Sequence, residues 1–433
     1  MALDNDTRRF ITHGDGQRLD LGLQRIALGI EAIASARPSY KLYAFHIDGS
    51  ESDPEDAVTY LEDATGMTPA HMDYANGVFD YGSWKDAFFM PRPCMVKYDG
   101  TVDYYLDEND YTLKADGTAS DISDTTYAGN AMVEWGKNGK KIWYKIVPDT
   151  GDANSATVYI CDEQLDPDFV AWSFVNSKGE YVDHFYTAMF NGSLGDASNK
   201  MRSLKGQAVK QSLTGQNEII ACELNNPSTD KLWYTDVFCD RMLINLLLIL
   251  MGKSLDSQTT FGRGLDSGSQ TALNEYVTGS LSDKGMFYGY NDGSHGVKVF
   301  HMEGWWGTQW RRTAGLNMNS GVIKYKMTYP YTTDSQGYTS TGITPTGTSG
   351  GYVNKMTFTK EGMFPSGVGE TGSGSGTYYC DGTWWSTSSD RWSLMGGASN
   401  DGASCGFVYC SLNNTLSNSH WVRGCALSLK PLA

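Results

Sequence analysis

Two runs of alternating apolar and polar residues end the chain, and each predicts a β-strand. In the first run, alternate residues form two faces, Val408, Cys410 and Leu412 against Phe407, Tyr409 and Ser411. The second run puts Cys425, Leu427 and Leu429 on one face. An amide-rich crossing over residues 413–421 joins the runs. With one face packed, we expect the rings of Phe407 and Tyr409 to be free at the surface.

Near the start of the chain, apolar residues recur at spacings of four and three, as in a heptad seam. They are Leu19, Leu23, Ile26, Ile30 and Ile33. Two interpretations stay open: an amphipathic helix packed on its own domain, or a short stalk or docking helix that joins copies of the chain. The second predicts a homo-oligomer, expected to be a trimer. Since two heptads are marginal alone, other contacts would have to contribute.

Strand-like runs follow from residue 40, with two local signals among them. Asp53-Pro54 predicts the start of a short helix, with Val58, Leu61 and Ala64 on one face. Asp99-Gly100 predicts the turn of a hairpin within residues 93–113.

Further along, residues 131–134 and 141–146 predict a pair of strands. Residues 232–251 are apolar nearly all round, which predicts a buried helix that stops at Gly252. His301 and Glu303 alternate with apolar residues and would share one strand face. A catalytic pair is conceivable there. Hydrogen-bonded structural side chains are favoured, since buried polar groups need partners.

Composition narrows both the fold class and the kinds of partner that we expect. A chain of 433 residues suggests two or three folding units, and 49 glycines with 12% aromatic residues are typical of a loop-rich β protein. The net charge of -16 argues against nucleic acid and anionic membranes as partners. No leader-like apolar segment begins the sequence, and no apolar run is long enough to insert into a membrane.

Motifs for metal and nucleophile chemistry are weak. The eight cysteines contain no C-x-x-C pair, and the acidic cluster at residues 107–110 lacks EF-hand spacing. Residues 347–351 formally fit G-x-S-x-G, but their flanks are not a strand and a helix. We therefore expect no cofactor, no metal and no catalytic residues, and free, mostly buried thiols.

Several segments together resemble the C-type-lectin-like proteins of phage tails, which include the variable proteins of diversity-generating retroelements and share the fold of formylglycine-generating enzymes. The segments are Glu62-Asp63-Ala64, Gly66-Met67-Thr68-Pro69, residues 93–106, residues 131–146, residues 300–307 and residues 396–433. The resemblance implies an α+β, β-rich fold. It also implies an N-terminal helix over residues 1–38, a small β-rich attachment domain over 39–129 and a C-type-lectin-like domain over 130–433.

The same resemblance implies a phage tail receptor-binding protein, a tail-tip or tail-fibre component of the virion made in the bacterial cytoplasm. Its partners would be a bacterial surface receptor, protein or glycan, and other tail proteins. The calcium-binding triplets of sugar-binding lectins do not occur. Cys405 and Cys410 are expected on opposite strand faces, so formylglycine-generating activity is not supported. That enzyme class, a glycan-acting enzyme and a purely structural tail component are the alternatives.

Aromatic, amide and hydroxyl side chains concentrate in two C-terminal segments, as in adaptable binding surfaces. The candidate ligand-binding residues are Tyr378, Tyr379, Trp384, Trp385, Asn400, Asp401, Phe407, Tyr409, Asn413, Asn414, Asn418, His420 and Trp421. Solvated loops of a β protein are the alternative interpretation. Against it, tryptophans are too apolar to be exposed without a partner.

Overall fold

A computed structural model describes residues 40–194 and 199–432. The predicted N-terminal helix of residues 1–38 and its heptad seam lie outside the described residues. Strands make up 34% of the protein and helices 11%, and the largest sheet curls into a half-barrel, so the predicted β-rich α+β class is confirmed.

The helices are α1 (Gly215–Glu223), α2 (Phe238–Gly252), α3 (Ser257–Phe261) and α4 (Gln270–Glu275), with single 3-10 turns at Lys137–Gly139, Trp172–Phe174 and Gly402–Ser404. The strands up to the first helix are β1 (Leu42–Ile47), β2 (Val58–Glu62), β3 (His71–Asp73), β4 (Val78–Asp80), β5 (Arg92–Lys97), β6 (Val102–Tyr105), β7 (Gly129–Trp135), β8 (Trp143–Asp149), β9 (Asp152–Cys161) and β10 (Phe185–Ala188). Those that follow are β11 (Trp233–Thr235), β12 (Lys298–Val299), β13 (Met302–Glu303), β14 (Trp310–Asn319), β15 (Val322–Tyr325), β16 (Thr339–Ser340), β17 (Thr346–Gly347), β18 (Gly350–Phe358), β19 (Met363–Val368), β20 (Gly382–Trp385), β21 (Arg391–Met395), β22 (Cys410–Asn414), β23 (Arg423–Gly424) and β24 (Leu427–Leu429).

Three larger sheets organise these strands. A four-stranded sheet has the order β2-β1-β9-β8, and a six-stranded sheet has the order β11-β24-β10-β7-β5-β6. The ten-stranded sheet follows the path β16-β15-β14-β21-β22-β20-β18-β19-β17, with β23 paired to β14. The two short sheets are β3-β4 and β12-β13.

The predicted division between residues 129 and 130 is not seen. Strand β1 pairs along its length with β9, and β5 pairs with β7, which itself contains Asn130. Residues from Leu42 onward form one compact unit. The early strands complete sheets whose other strands come later in the sequence, so residues 39–129 do not make a separate attachment domain.

Helix α2 forms the centre of the main core. Every residue from Phe238 to Met251 is buried, as the apolar sequence predicted. The helix is shorter than predicted because Trp233, Tyr234 and Thr235 form β11 instead and pair with β24. Aromatic and β-branched residues favour such a strand.

Two local predictions have different outcomes. The hairpin at Asp99-Gly100 is confirmed: β5 and β6 pair, and Gly100 has a φ of +88°, which glycine adopts readily. The helix predicted from Asp53-Pro54 is wrong, since Val58 begins strand β2, which pairs with β1. A long-range partner decides a segment too short to form a stable helix alone.

The strand pair predicted at residues 131–134 and 141–146 is wrong in its pairing. Both strands exist, as β7 and β8, but they belong to different sheets. β7 pairs with β5 and β10, whereas β8 pairs with β9. Within the described ranges, no helix is long and apolar enough to cross a membrane.

Candidate ligand-binding surface

Strands β20 and β22 bring the two predicted C-terminal segments together. They pair in parallel, with Trp384 opposite Ser411 and Trp385 opposite Leu412. The tryptophan pair therefore lies beside the start of the crossing, although Thr383 and its partner Cys410 are 27 positions apart along the chain.

Trp384 is an exposed ring in a fixed orientation. Its side chain is 45% exposed, the most of any tryptophan in the described residues. The indole N–H donates a hydrogen bond to the Tyr409 hydroxyl at 2.8 Å. A Cβ at Gly350, the opposite residue on β18, would overlap the indole, so the ring packs closely on this glycine. One side of the ring is thus supported by backbone.

Tyr409 and Phe407 lie beneath the surface, which corrects the prediction that they present free rings. Phe407 is fully buried and Tyr409 is 2% exposed. The chain at Phe407 and Val408 is a turn, and β22 begins only at Cys410, so strand alternation does not apply there. The Phe407 carbonyl accepts a hydrogen bond from Asn245 on α2, which anchors this turn to the core.

Two further candidates are also covered. Tyr379 is buried at 1% exposure, and Asn414 is buried with its amide bonded to Ser411 Oγ at 2.7 Å. The four covered residues are therefore supports of the surface at most. The candidates that remain accessible are Tyr378, Trp384, Trp385, Asn400, Asp401, Asn413, Asn418, His420 and Trp421.

The crossing between β22 and β23 is held by internal bonds. Asn418 Oδ1 accepts from the Thr415 backbone N–H at 2.8 Å, which closes the turn. The backbone N–H of Gly215, at the start of α1, donates to Leu416 O at 2.7 Å, and that of Ser212 donates to His420 O at 3.3 Å. These bonds hold the crossing against α1 and leave the side chain of His420 exposed.

Asp401 connects the surface to the aromatic rings below it. Its carboxylate accepts the Ala398 N–H at 2.8 Å and bonds with Trp310, whose ring lies 4.4 Å from that of Tyr409. Burial raises the pKa of Asp401 to about 6, and the two hydrogen bonds oppose this rise. Asp401, Trp310, Tyr409 and Trp384 thus form one connected chain of side chains.

A polar cleft of about 270 Å³ borders the Gly402–Ser404 turn, which directly follows Asp401. Its lining residues are Asp256, Gln258, Thr259, Arg263, Asn291, Ser375 and Ala403. Ala403 belongs to the turn, and the neighbouring Gly402 N–H donates to Asp266 O at 3.0 Å. This cleft could not be predicted from the sequence, because its lining residues come from residues 256–291, Ser375 and Ala403, and no local motif marks them.

A second cleft, of about 430 Å³, lies beside the six-stranded sheet and includes Arg92 and Tyr105. The buried Glu134 carboxylate accepts from Arg92 at 2.5 Å, from Tyr105 at 3.2 Å and from Tyr186 at 3.1 Å. Arg92 and Tyr105, which line this cleft, already have the Glu134 carboxylate as a partner. It is therefore a weaker candidate for recognition than the surface formed by Trp384, Trp385, Asn413, Asn418 and His420, which we call the Trp384 surface.

His301 and Glu303 are buried and hydrogen-bonded, as the structural interpretation predicts. Glu303 accepts the backbone N–H groups of Gly279 and Leu281 at 2.9 and 3.0 Å, and His301 Nδ1 is 2.6 Å from the Tyr111 hydroxyl. Burial raises the pKa of Glu303 and lowers that of His301. The prediction of a shared strand face is wrong, because His301 has a φ of +66° and precedes β13.

In the part of the chain that the structure describes, no group of three or more histidine, cysteine or acidic side chains is placed to hold a metal ion. All eight cysteines are free and buried. No protein-family model matches the chain, and no curated protein matches it significantly.

Proposed function

We propose that this protein is a phage tail receptor-binding protein that recognises the bacterial surface through the region around Trp384. The observation that carries the proposal is an exposed indole held in one orientation by Tyr409 and Gly350. A large aromatic ring that is exposed and already ordered loses little entropy when it binds a ligand.

The strand order of the six-stranded sheet supports one part of the lectin-like proposal. In the six-stranded sheet, the C-terminal strand β24 lies beside β10, which pairs with β7. The resemblance implies that the segment with Met132 and Trp143 lies close to the C-terminal strands. Met132 on β7 agrees with this, since β10 joins β7 to β24, whereas Trp143 lies on β8 in the four-stranded sheet, which contains no strand later than β9. The final strand thus fixes the base of the crossing within a sheet built from earlier segments.

The surface suits a ligand with both a flat apolar face and polar groups. The Trp384 ring offers apolar area, and the accessible amides and hydroxyls beside it offer hydrogen bonds. A sugar ring and an apolar side chain of a receptor protein both meet this description. Virion location, contact with other tail proteins and assembly as a trimer are further parts of the same proposal.

Adsorption to bacteria tests the proposal directly. Labelled full-length protein would be bound to a panel of bacterial strains, and the binding strain would then be used to compare Trp384→Ala with the wild type. We expect affinity to fall at least about tenfold, as for an aromatic anchor at an interface. Tyr181→Ala is the matched control, because Tyr181 is 47% exposed but lies outside the candidate segments.

The alternatives give other outcomes. A wild type that binds no strain but co-purifies with tail proteins would favour a structural tail component. Shortening of purified surface glycans by the protein would favour a glycan-acting enzyme. Normal adsorption by a folded Trp384→Ala variant would place recognition elsewhere on the molecule.

A further inference from the structure

Two cysteines face each other in the interior. The Sγ atoms of Cys222 and Cys425 are 3.6 Å apart, and both side chains are buried. They lie in the smaller hydrophobic cluster, together with Trp233 and Leu427. A disulfide bond is about 2 Å long, so the sulfur atoms would have to approach by only about 1.5 Å.

The two cysteines belong to the two segments that hold the crossing in place, helix α1 and the chain that follows β23. Cys222 is in the last turn of α1, the helix whose first backbone N–H holds Leu416. Cys425 directly follows β23, where the crossing re-enters the sheet. The Cys425 carbonyl accepts the Gly192 N–H at 2.8 Å, which connects this end of the crossing to the segment after β10 of the six-stranded sheet. A bond between the sulfur atoms would clamp both ends.

We propose that Cys222 and Cys425 are a cross-link site that forms a disulfide when the protein meets a low-molecular-weight disulfide such as oxidised glutathione. A thiolate of one cysteine attacks the glutathione disulfide, breaks its S–S bond and releases one glutathione thiolate. The second cysteine attacks this mixed disulfide, forms the Cys222–Cys425 bond and releases the second glutathione. Two protein thiols are oxidised and one glutathione disulfide is reduced, with two protons passing to the released thiolates.

The surroundings make this reaction slow. The hydrogen bond with Cys222 and burial both raise the pKa of the Cys425 thiol. Because the thiolate is the reactive form, few molecules react at neutral pH. The reagent reaches the buried pair when this region opens locally. Formation of the Cys222–Cys425 disulfide should therefore take hours of exposure to oxidised glutathione, and brief contact should not be enough.

The closed form should be the more stable one. The two cysteines are 203 residues apart, so a bond between them restricts a large loop of the unfolded chain. For a protein of this size we expect the thermal midpoint to rise by about 5 °C.

Mass spectrometry of the full-length protein tests the inference. The protein would be incubated for a day with oxidised glutathione or with a reductant, then denatured and alkylated. We expect eight alkylated cysteines after reduction and six after oxidation, which is eight less the linked pair. Digestion should give one cross-linked peptide pair that contains Cys222 and Cys425. Eight free thiols after oxidation, a stable glutathione adduct without a link, or a link between other cysteines would overturn the proposal.

Variants separate the link from general effects of oxidation. Cys222→Ser and Cys425→Ser should each lose the cross-linked peptide and the rise in thermal midpoint. Cys94→Ser is the matched control, because Cys94 is buried in the same cluster and should leave both effects intact. If the serine variants fail to fold, peptide mapping of the wild type still decides the question. An unchanged thermal midpoint in the linked protein would contradict the clamping role.

Discussion

The chain contains two Trp-Trp pairs, Trp305-Trp306 and Trp384-Trp385, that differ in their environment. Trp305 and Trp306 are 1% and 0% exposed, whereas Trp384 is 45% exposed and Trp385 is half-buried. In each of the four residues the indole N–H has a hydrogen-bond acceptor. Satisfying the indole nitrogen therefore does not distinguish a core tryptophan from a surface one.

The partners of the ring faces make the difference. The guanidinium of Arg241, on α2, lies 3.7 Å from the centre of the Trp305 ring. Asn245 of the same helix accepts a hydrogen bond from the Trp305 indole N–H at 3.1 Å. Trp384 instead has a glycine on β18 next to its ring and a tyrosine hydroxyl at its edge. Trp305 is enclosed by a core helix. Trp384 is supported on one side and left accessible, which is the arrangement that recognition needs.

The largest predicted contrast is in stability. Trp305→Ala should lower the free energy of unfolding by about 3–5 kcal/mol, because it removes a buried ring, the face that the Arg241 guanidinium packs on and the donor to Asn245 Oδ1. Trp384→Ala should lower it by about 1 kcal/mol, mainly by leaving the Tyr409 hydroxyl unbonded. Denaturant unfolding of both variants measures the difference. Equal losses would mean that Trp384 is a core residue, and the proposed binding surface would fall.

The exposed Trp384, the half-buried Trp385 and the crossing beside them were predicted from the sequence, but the buried layer of side chains below them was not. Trp384, Asn413, Asn418 and His420 are exposed, in agreement with a polar crossing between strands. Alternation failed at Phe407 because it holds only for extended backbone, and the chain turns there. A turn inside an apolar run leaves no clear mark in the sequence.

The arrangement of the domains could not be predicted from the sequence for a similar reason. Tyr43 on β1 pairs with Ile160 on β9, more than a hundred residues later, and no local pattern announces such a contact. Helix α2 was predictable because its own residues are apolar on nearly every side, which indicates a buried helix. The polar cleft brings together Asp256, Asn291 and Ala403, which lie far apart in the sequence.

The charges near the two pairs also differ, and this predicts a pH effect. Trp305 lies under a cation, whereas the rings below Trp384 contact Asp401, whose pKa burial raises to about 6 from an ordinary 3.8. Between about pH 4 and pH 6, the Asp401 carboxyl is therefore protonated in the folded protein and ionised in the unfolded chain. The stability gained from the neutral acid is present below about pH 4 and is lost as the pH rises through about 6.

Asp401→Asn tests this assignment, because an amide cannot lose the proton. Between pH 4 and pH 7 the wild type should lose about 1–2 kcal/mol of unfolding free energy relative to the variant, an amount reduced by the partial exposure of Asp401. Denaturant unfolding at the two pH values measures the change. A constant difference between the two proteins would show that Asp401 titrates as an ordinary surface acid.

The smallest predicted effect addresses what fixes the Trp384 ring. Tyr409→Phe keeps the buried ring against Trp310 and removes only the hydroxyl that accepts the indole N–H. We expect a change of about 1 kcal/mol or less in stability, because the freed indole N–H faces water. Adsorption to bacteria should weaken about two- to threefold, since the indole must then be ordered on binding. Trp385 provides the comparison: its indole N–H is bonded to the Thr348 carbonyl and not to Tyr409, so its fluorescence environment should not change. If Tyr409→Phe binds as well as the wild type while Trp384→Ala does not, Gly350 and the strand backbone alone orient the ring.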